Sequence, residues 1–118
     1  MIVGGGAAGL SAALVLGRAR RSVAVVDAGA PATLPPTFLE VGREEVTGCG
    51  VEIIDDTVTQ IDPGFMAHLA SGTTMSARRM LVTTGVTDDL PSIAGVRERC
   101  GGYLLPKHQR VRVVVLLT

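Results

Sequence analysis

Met1-Ile2-Val3-Gly4-Gly5-Gly6-Ala7-Ala8-Gly9 determines how this chain begins to fold, because a short apolar run breaks there into the spacing G-x-G-x-x-G. A helical pattern follows and closes at residues 17–21, and a second apolar run, Val23-Ala24-Val25-Val26, ends on Asp27. The spacing alone is weak evidence, since a chain with 15 glycines produces it by chance. A dinucleotide fingerprint also requires a strand before it, a helix after it and an acid about twenty positions on. All three are present, so the sequence predicts a dinucleotide-binding turn.

The three glycines of the fingerprint serve different purposes in this turn. Gly4 permits the tight turn out of the strand, Gly6 leaves no Cβ between the backbone and a pyrophosphate, and Gly9 lets the helix pack close to the strand. The helix then starts with N–H groups that point at the phosphates, and its dipole favours their negative charge. We therefore expect a cofactor pyrophosphate against Gly4, Gly6, Ala7, Ala8 and Gly9. The alternative is a glycine-rich turn that holds no ligand.

Asp27 stands at the carboxyl end of the second predicted strand. A carboxylate there can accept hydrogen bonds from both hydroxyls of an adenosine ribose. The same charge repels a 2′-phosphate, and residues 28–31, Ala-Gly-Ala-Pro, offer no Arg or Lys to hold one. The sequence therefore predicts FAD or NAD, rather than NADP, at this site.

Length and charge exclude several other classes of protein. A chain of 118 residues forms one domain at most. The formal charge is zero, and the nearest approach to a basic cluster, residues 18–21, closes a helix, where cations suit the dipole. We therefore predict no nucleic-acid partner and no membrane partner. Cys49 and Cys100 are too few and too far apart for a disulfide framework, so we expect a cytoplasmic protein.

Downstream of Asp27 the pattern changes three times. A Pro-rich connection at 30–36 precludes regular structure, and Thr37-Phe38-Leu39-Glu40 has the form of a capping box that opens a helix ending near Gly48. Alternating residues at 51–61 then predict one bent strand or two short ones. With further strands at 65–70 and 73–77, the pattern predicts a three-stranded antiparallel meander.

Met80-Leu81-Val82-Thr83-Thr84-Gly85 is an apolar run that ends in hydroxyls and a glycine. This pattern is typical of a buried parallel strand. Because ligands of doubly wound sheets lie at the carboxyl ends of the strands, we expect Thr83, Thr84 and Gly85 near the same crevice as the glycine turn. The alternative is simple strand termination. The last strand signal, at 111–117, is followed by neither a helix nor a glycine turn, which suggests a chain cut short.

Taken together, these residues resemble the FAD domain of the pyridine nucleotide–disulfide oxidoreductases, in particular the bacterial thioredoxin reductase-like flavoproteins. The match runs in order from Ile2 to about Arg99. It implies an α/β fold with a Rossmann-like parallel sheet and a three-stranded antiparallel β-meander, and FAD as the cofactor, with NAD as the alternative. In that family the glycine loop holds the pyrophosphate, the acid matching Asp27 holds the ribose, and the strand near Val58 lies by the adenine. The segment matching Thr83 to Gly85 also passes close to the cofactor.

The chain also departs from the family pattern. Where the family carries a C-x-x-C pair, this chain has Cys100-Gly101-Gly102-Tyr103-Leu104-Leu105. We expect the family's NADPH domain to be missing from these 118 residues, and the connection from Asp27 to Thr37 looks shorter than usual. We therefore expect 1–118 to be a single partial FAD/NAD(P)-binding domain, with 111–118 as the first strand of a missing NADPH domain.

Two hypotheses follow. The first is an FAD-binding oxidoreductase fragment of the NAD(P)H-dependent thioredoxin reductase-like type, without independent activity and with no catalytic or metal-binding residue assigned. The second is a non-catalytic nucleotide-binding module that binds FAD or NAD or supports a partner chain. In either case a second copy or a partner chain could supply the missing half.

Overall fold

A computed structural model describes residues 1–29, 36–88, 109–111 and 115–116 of the chain, with backbone alone for 86–88, 109–111 and 115–116. Within those residues the elements follow one another in this order: β1 Ile2–Val3, α1 Ala7–Arg18, β2 Ala24–Asp27, α2 Pro36–Gly48, β3 Glu52–Asp55, β4 Val58–Asp62, β5 Met66–Leu69, β6 Thr74–Ser76, β7 Met80–Val82, β8 Val86–Asp88, β9 Gln109–Val111 and β10 Val115–Leu116. Neither described helix has the length and apolar character needed to span a membrane.

The largest sheet has the strand order β10-β7-β1-β2-β3. The strands β7, β1, β2 and β3 are parallel, and β10 pairs antiparallel with β7 at one edge. In the centre Ile2 pairs with Val25 and Val3 with Val26. These four side chains are buried, as expected for strands covered on both faces, which read as continuous apolar runs.

The helix α1 covers this sheet with an apolar stripe. Its alanines favour a helix, and Leu10, Ala13 and Gly17 are buried. Leu10 and Ala13 belong to one core cluster with Ile2, Val23, Val25, Val46 and Val51. The second helix contributes Val46 to this core, and it crosses α1 so closely that a Cβ added at Gly42 would lie 3.1 Å from the Leu10 Cδ1 atom. The first two strands and both helices therefore share one core.

The strands β4, β5 and β6 form the predicted antiparallel meander. Its buried face carries Ala67 and Leu69, whereas Met66 before them is exposed and His68 between them is half-buried, in line with the period of two. Ala67 joins Val3 and Met80 in a second core cluster, which attaches the meander to β1 and β7. A parallel sheet with helices and an antiparallel meander confirms the predicted fold class.

The structure corrects some predicted boundaries. The helix α2 begins at Pro36, so Thr37 lies inside the helix and the predicted capping box at Thr37 is wrong. Proline suits the first helical position, because the N–H that it lacks has no partner there. Of the two alternatives for 51–61, the structure shows two short strands, and they belong to different sheets. Phe65, predicted in a strand, lies in the preceding turn with φ of 60°.

Two pairings involve the last part of the chain. The strand β9 pairs antiparallel with β8, and β10 pairs antiparallel with β7. Residues 89–108, which include Cys100 and the segment that follows it, lie outside the described residues. The assignment of 111–118 to the first strand of a further domain stays a prediction.

Candidate nucleotide-binding site

Three parallel strands end at one edge of the large sheet. Gly4 follows β1, Asp27 ends β2 and Thr83 follows β7. Backbone hydrogen bonds fix this edge, because the Gly4 N–H donates to the Val26 carbonyl at 2.8 Å and the Thr83 N–H donates to the Val3 carbonyl at 2.7 Å. The carboxyl edge of a doubly wound sheet is where such folds bind ligands. The structure thus brings the glycine turn, Asp27 and Thr83 together as the sequence predicts.

The glycines of the turn meet different surroundings. Gly4 has φ of 106°, and a Cβ there would collide with the Thr83 carbonyl oxygen. A Cβ at Gly9 would overlap the Gly4 carbonyl oxygen and lie 2.8 Å from the Thr83 Oγ1 atom. By contrast, a Cβ at Gly6 would meet no described atom within 4 Å. Gly4 and Gly9 therefore allow close packing of the chain on itself, whereas Gly6 borders open space.

The helix α1 begins at this open space. Gly6 is its N-cap residue, and the first helical hydrogen bond runs from the Leu10 N–H to the Gly6 carbonyl at 2.9 Å. The N–H groups of Ala7, Ala8 and Gly9 precede that bond, so they have no partner within the helix. With no acidic residue in the first turn, the helix start offers donors and the positive end of its dipole to an anion.

Thr83 ties β7 to the glycine turn. Its hydroxyl lies 2.9 Å from the Gly4 carbonyl oxygen and 3.1 Å from that of Val3, and it donates to this pair of acceptors. Thr84 and Gly85 follow at the surface, and Gly85 has φ of 79°. The Thr83 side chain thus supports the turn, and Thr84 and Gly85 are exposed beside it.

The Asp27 carboxylate is held from three sides. Its Oδ1 atom accepts hydrogen bonds from the Gly5 N–H at 3.2 Å and from the Gly29 N–H at 3.3 Å. Its Oδ2 atom accepts a hydrogen bond from the Arg43 Nη1 atom at 2.8 Å. The side chain is 19% exposed, and two carboxylate oxygens offer about four acceptor positions, so room remains for a ligand hydroxyl.

Sequence reasoning missed Arg43. Its Nη2 atom also binds the Oδ1 atom of Asp55, so one guanidinium joins the carboxyl ends of β2 and β3. The expectation that no cation lies near Asp27 is therefore wrong, although residues 28–31 carry none. A signal was present in the sequence, because Arg43 follows Leu39 by four positions and precedes Val46 by three, which puts it on the packed face of the helix.

Gly5 is the second residue that the pattern did not single out. It is buried, and a Cβ there would lie 2.5 Å from the Asp27 Cγ atom. The fingerprint specifies the first, third and sixth positions of the turn and leaves the second free. Here the second position must also be glycine, because the Asp27 carboxylate occupies the space of a side chain.

Val58 lies in β4, half-buried, and packs against the cluster of Val3, Ala67 and Met80. This contact joins the meander to β1 directly before the glycine turn. On the outer side of the meander, the His68 Nε2 atom lies 2.7 Å from the Asp62 Oδ2 atom. A role for Val58 beside an adenine stays a prediction.

Cys49 follows α2 and is a half-buried free thiol. Its Cβ would lie 3.0 Å from a Cβ added at Gly17, near the end of α1. Gly17 is ten residues beyond Ala7, so the thiol is roughly 15 Å along the helix from the glycine turn, at 1.5 Å per residue. Cys49 therefore lies at the opposite end of the helix from the candidate site.

The carboxyl edge with its glycine turn defines a Rossmann-like α/β protein of the dinucleotide-binding class. The family model of the pyridine nucleotide-disulphide oxidoreductases matches residues 1–114, and the chain belongs to this family. The predicted family is thereby confirmed.

Individual proteins of known sequence or structure support this assignment. The chain is similar to Thioredoxin reductase tcpT of Claviceps purpurea, with 32% identity over 124 aligned positions, 86% of this chain and 38% of the relative. It is similar to the crystal structure of HlmI, with 42% identity, a TM-score of 0.77, and 83% of this chain and 38% of that one covered. The chain is also similar to the structure of the oxidoreductase from Agrobacterium tumefaciens, with 33% identity and a TM-score of 0.78. That match covers 83% of this chain and 40% of the other. The chain thus spans about two fifths of the length of these proteins.

Proposed function

We propose that the chain binds FAD at the carboxyl edge of its large sheet, as the FAD-binding part of an NAD(P)H-dependent oxidoreductase of the thioredoxin reductase-like type. The observation that carries this proposal is the juxtaposition of an open helix start at Gly6 with the oriented carboxylate of Asp27. Membership of the family supports FAD over other dinucleotides, and NAD is the alternative ligand.

The pyrophosphate would lie against the start of α1. A Cβ at Gly6 would meet no described atom within 4 Å, and the N–H groups of Ala7, Ala8 and Gly9 have no acceptor within the helix. Gly4 contributes the tight turn that aims these groups outward. Because the helix dipole adds a favourable charge at the same point, this surface suits a doubly charged pyrophosphate.

The adenosine ribose would lie against Asp27. The carboxylate is already oriented by Gly5, Gly29 and Arg43, so little side-chain freedom is lost when a ribose hydroxyl donates to its remaining acceptor position. We further propose that Val58 contributes to the adenine side of the site, and that Thr84 and Gly85, with Thr83 beneath them, border the cofactor.

In such a protein, bound FAD supplies the two-electron redox chemistry, and the chain binds and orients it. The chain matches only part of the length of the longer family members, and we propose that it contributes the FAD-binding part of their activity. A non-catalytic nucleotide-binding module is the second candidate, and the position of Cys49 away from the site favours it. For both candidates we propose a cytoplasmic protein, with a second copy or a partner chain completing the assembly.

Titration of the purified chain with FAD, followed by flavin fluorescence, tests the proposal. Asp27→Ala should weaken binding roughly ten- to hundredfold, since a hydrogen bond to a charged group contributes about 1.5–3 kcal/mol. Glu52→Ala is the matched control, because Glu52 is an exposed acid at the amino end of β3. Equal FAD affinity in the wild type and Asp27→Ala would contradict the ribose assignment, and binding of NAD without FAD would favour the second candidate.

A further inference from the structure

The side chain of Arg43 joins two carboxylates at the edge where the ribose is proposed to lie. Its Nη1 atom donates to the Asp27 Oδ2 atom at 2.8 Å, and its Nη2 atom donates to Asp55. The Arg43 side chain is 29% exposed and that of Asp27 is 19% exposed, whereas that of Asp55 is 76% exposed. The contact with Asp27 is therefore the more shielded of the two, and solvent screens it less than the contact with Asp55.

The fold explains how a residue in the middle of α2 reaches this edge. Leu39 and Val46 pack on the core cluster and hold the same face of the helix against the sheet. Side chains on a helix lean toward its N-terminus, and the long apolar stem of arginine can lie along a packed surface while its head reaches polar groups. The guanidinium thus arrives at the carboxyl ends of β2 and β3, beside the glycine turn.

This contact changes the electrostatic argument about the ribose. Asp27 alone would repel a 2′-phosphate, but a guanidinium is a favourable partner for phosphate, which it can bind with two parallel hydrogen bonds. In the wild-type chain both terminal nitrogens of Arg43 are engaged by carboxylates. A 2′-phosphate would therefore meet two acidic groups and a guanidinium that is already occupied.

We propose that the Asp27–Arg43 pair, rather than Asp27 alone, sets the preference for an unphosphorylated adenosine ribose. Arg43 acts as a positioning residue, because it fixes the Asp27 Oδ2 atom and leaves the carboxylate facing the ribose hydroxyls. Removal of the Asp27 charge releases one arm of the guanidinium at the ribose edge, where it becomes a ligand for a 2′-phosphate. This inference rests on the proposed function, since it requires an adenosine ribose at Asp27.

A purely structural role for Arg43 makes a different prediction. If the arginine only ties α2 to the sheet, its loss lowers the stability of the fold and leaves the ratio of affinities for phosphorylated and unphosphorylated ribose unchanged. The test must therefore measure that ratio in addition to stability.

The probes are ADP-ribose and 2′-phospho-ADP-ribose, titrated by calorimetry against the full chain. The variants are Asp27→Asn, Arg43→Gln, the double variant Asp27→Asn/Arg43→Gln, and Arg43→Lys, with melting curves to establish that each is folded. Arg18→Gln is the control, because Arg18 is an exposed arginine in the last turn of α1, at the end away from the glycine turn.

We expect the wild type to prefer ADP-ribose, and Asp27→Asn to shift the affinity ratio toward the 2′-phosphate by about tenfold or more, the effect of one charge-assisted hydrogen bond. The double variant should lose that shift. Arg43→Gln should weaken ADP-ribose binding, Arg43→Lys should restore it incompletely because lysine cannot hold both carboxylates with one planar group, and Arg18→Gln should match the wild type.

The same ratio in Asp27→Asn and in the double variant would overturn the inference, as would an ADP-ribose affinity that Arg43→Gln leaves unchanged. FAD binding that persists in either case leaves the proposed function standing and removes only the role of Arg43. If the folded wild type binds neither FAD nor ADP-ribose, the proposed function fails and this inference falls with it.

Discussion

Gly5 and Gly6 are neighbours in the chain, yet the absence of a side chain serves a different purpose at each. At Gly5 it leaves room for the Asp27 carboxylate, whose Cγ atom would lie 2.5 Å from an added Cβ. At Gly6 it leaves open space, which we assign to a pyrophosphate. Stability and ligand binding should therefore respond differently to a methyl group at these two positions.

Gly5→Ala should lower the free energy of unfolding by about 1–3 kcal/mol, the usual cost of forcing an extra methyl group into a packed site. Gly6→Ala should leave the fold nearly as stable, because its φ of −74° suits alanine, but it should weaken FAD binding by placing a methyl group at the start of α1. Urea unfolding and FAD titration of both variants measure the two effects. A Gly6→Ala chain that binds FAD as tightly as the wild type would contradict the pyrophosphate assignment.

At the scale of elements, the turn after β1 is held by β7 as well as by its own backbone. The Thr83 hydroxyl donates to the carbonyl group of Gly4 at 2.9 Å. Thr83→Val keeps the shape and removes this donor, so it should lower the free energy of unfolding by about 1 kcal/mol. Thr83→Ser keeps the hydroxyl and is the matched variant, which should retain more of the FAD affinity than valine. Equal FAD affinities in the serine and valine variants would contradict a supporting role for the hydroxyl.

The meander contains a pH-sensitive contact away from the candidate site. A hydrogen bond from the Gln60 side chain, and then one from His68, hold the pKa of Asp62 below its ordinary value of 3.8. A carboxyl group whose pKa is lower in the folded state stabilises the fold above its ordinary pKa, and this contribution is lost as the pH falls through the lowered value. As the pH falls below 3.8, the loss of unfolding free energy should therefore be smaller in Asp62→Asn than in the wild type. An identical fall in both chains would be the contrary result.

The sequence predicted the elements whose signals are local. The glycine spacing, the acid at Asp27 and the alternation at 65–77 each depend on neighbouring residues, and the turn, the end of β2 and the meander lie where those signals indicate. The break between β3 and β4 was left open, because alternation continues across it while the chain passes from one sheet to the other. Arg43 was missed because its contact joins residues sixteen positions apart on different elements.

At the scale of the whole molecule, the thiol of Cys49 and the glycine turn lie at opposite ends of α1. Disulfide reduction by flavoproteins needs a cysteine pair close to the flavin and a site for the reductant. Cys49 and Cys100 are fifty-one positions apart, and neither belongs to a C-x-x-C. We therefore predict that the 118-residue chain by itself, loaded with FAD, does not reduce disulfides with NADPH.

An assay of NADPH consumption with a small disulfide acceptor tests this prediction. It is run on the FAD-loaded chain and on its Cys49→Ser and Cys100→Ser variants. Turnover that depends on either cysteine would contradict the prediction. Slow NADPH oxidation that persists in both variants would instead indicate direct reaction of an exposed flavin with oxygen.

The central claim is that FAD lies with its pyrophosphate on the start of α1 and its ribose on Asp27. The most direct measurement is a titration of the 15N-labelled chain with FAD, followed by the shifts of assigned backbone amides. The account predicts that the largest shifts occur at residues 5–9 and at 27–29, with little change at the far end of α1 around Gly17. Shifts that are confined to other parts of the chain, or no shifts at FAD concentrations that saturate flavin fluorescence, would contradict it.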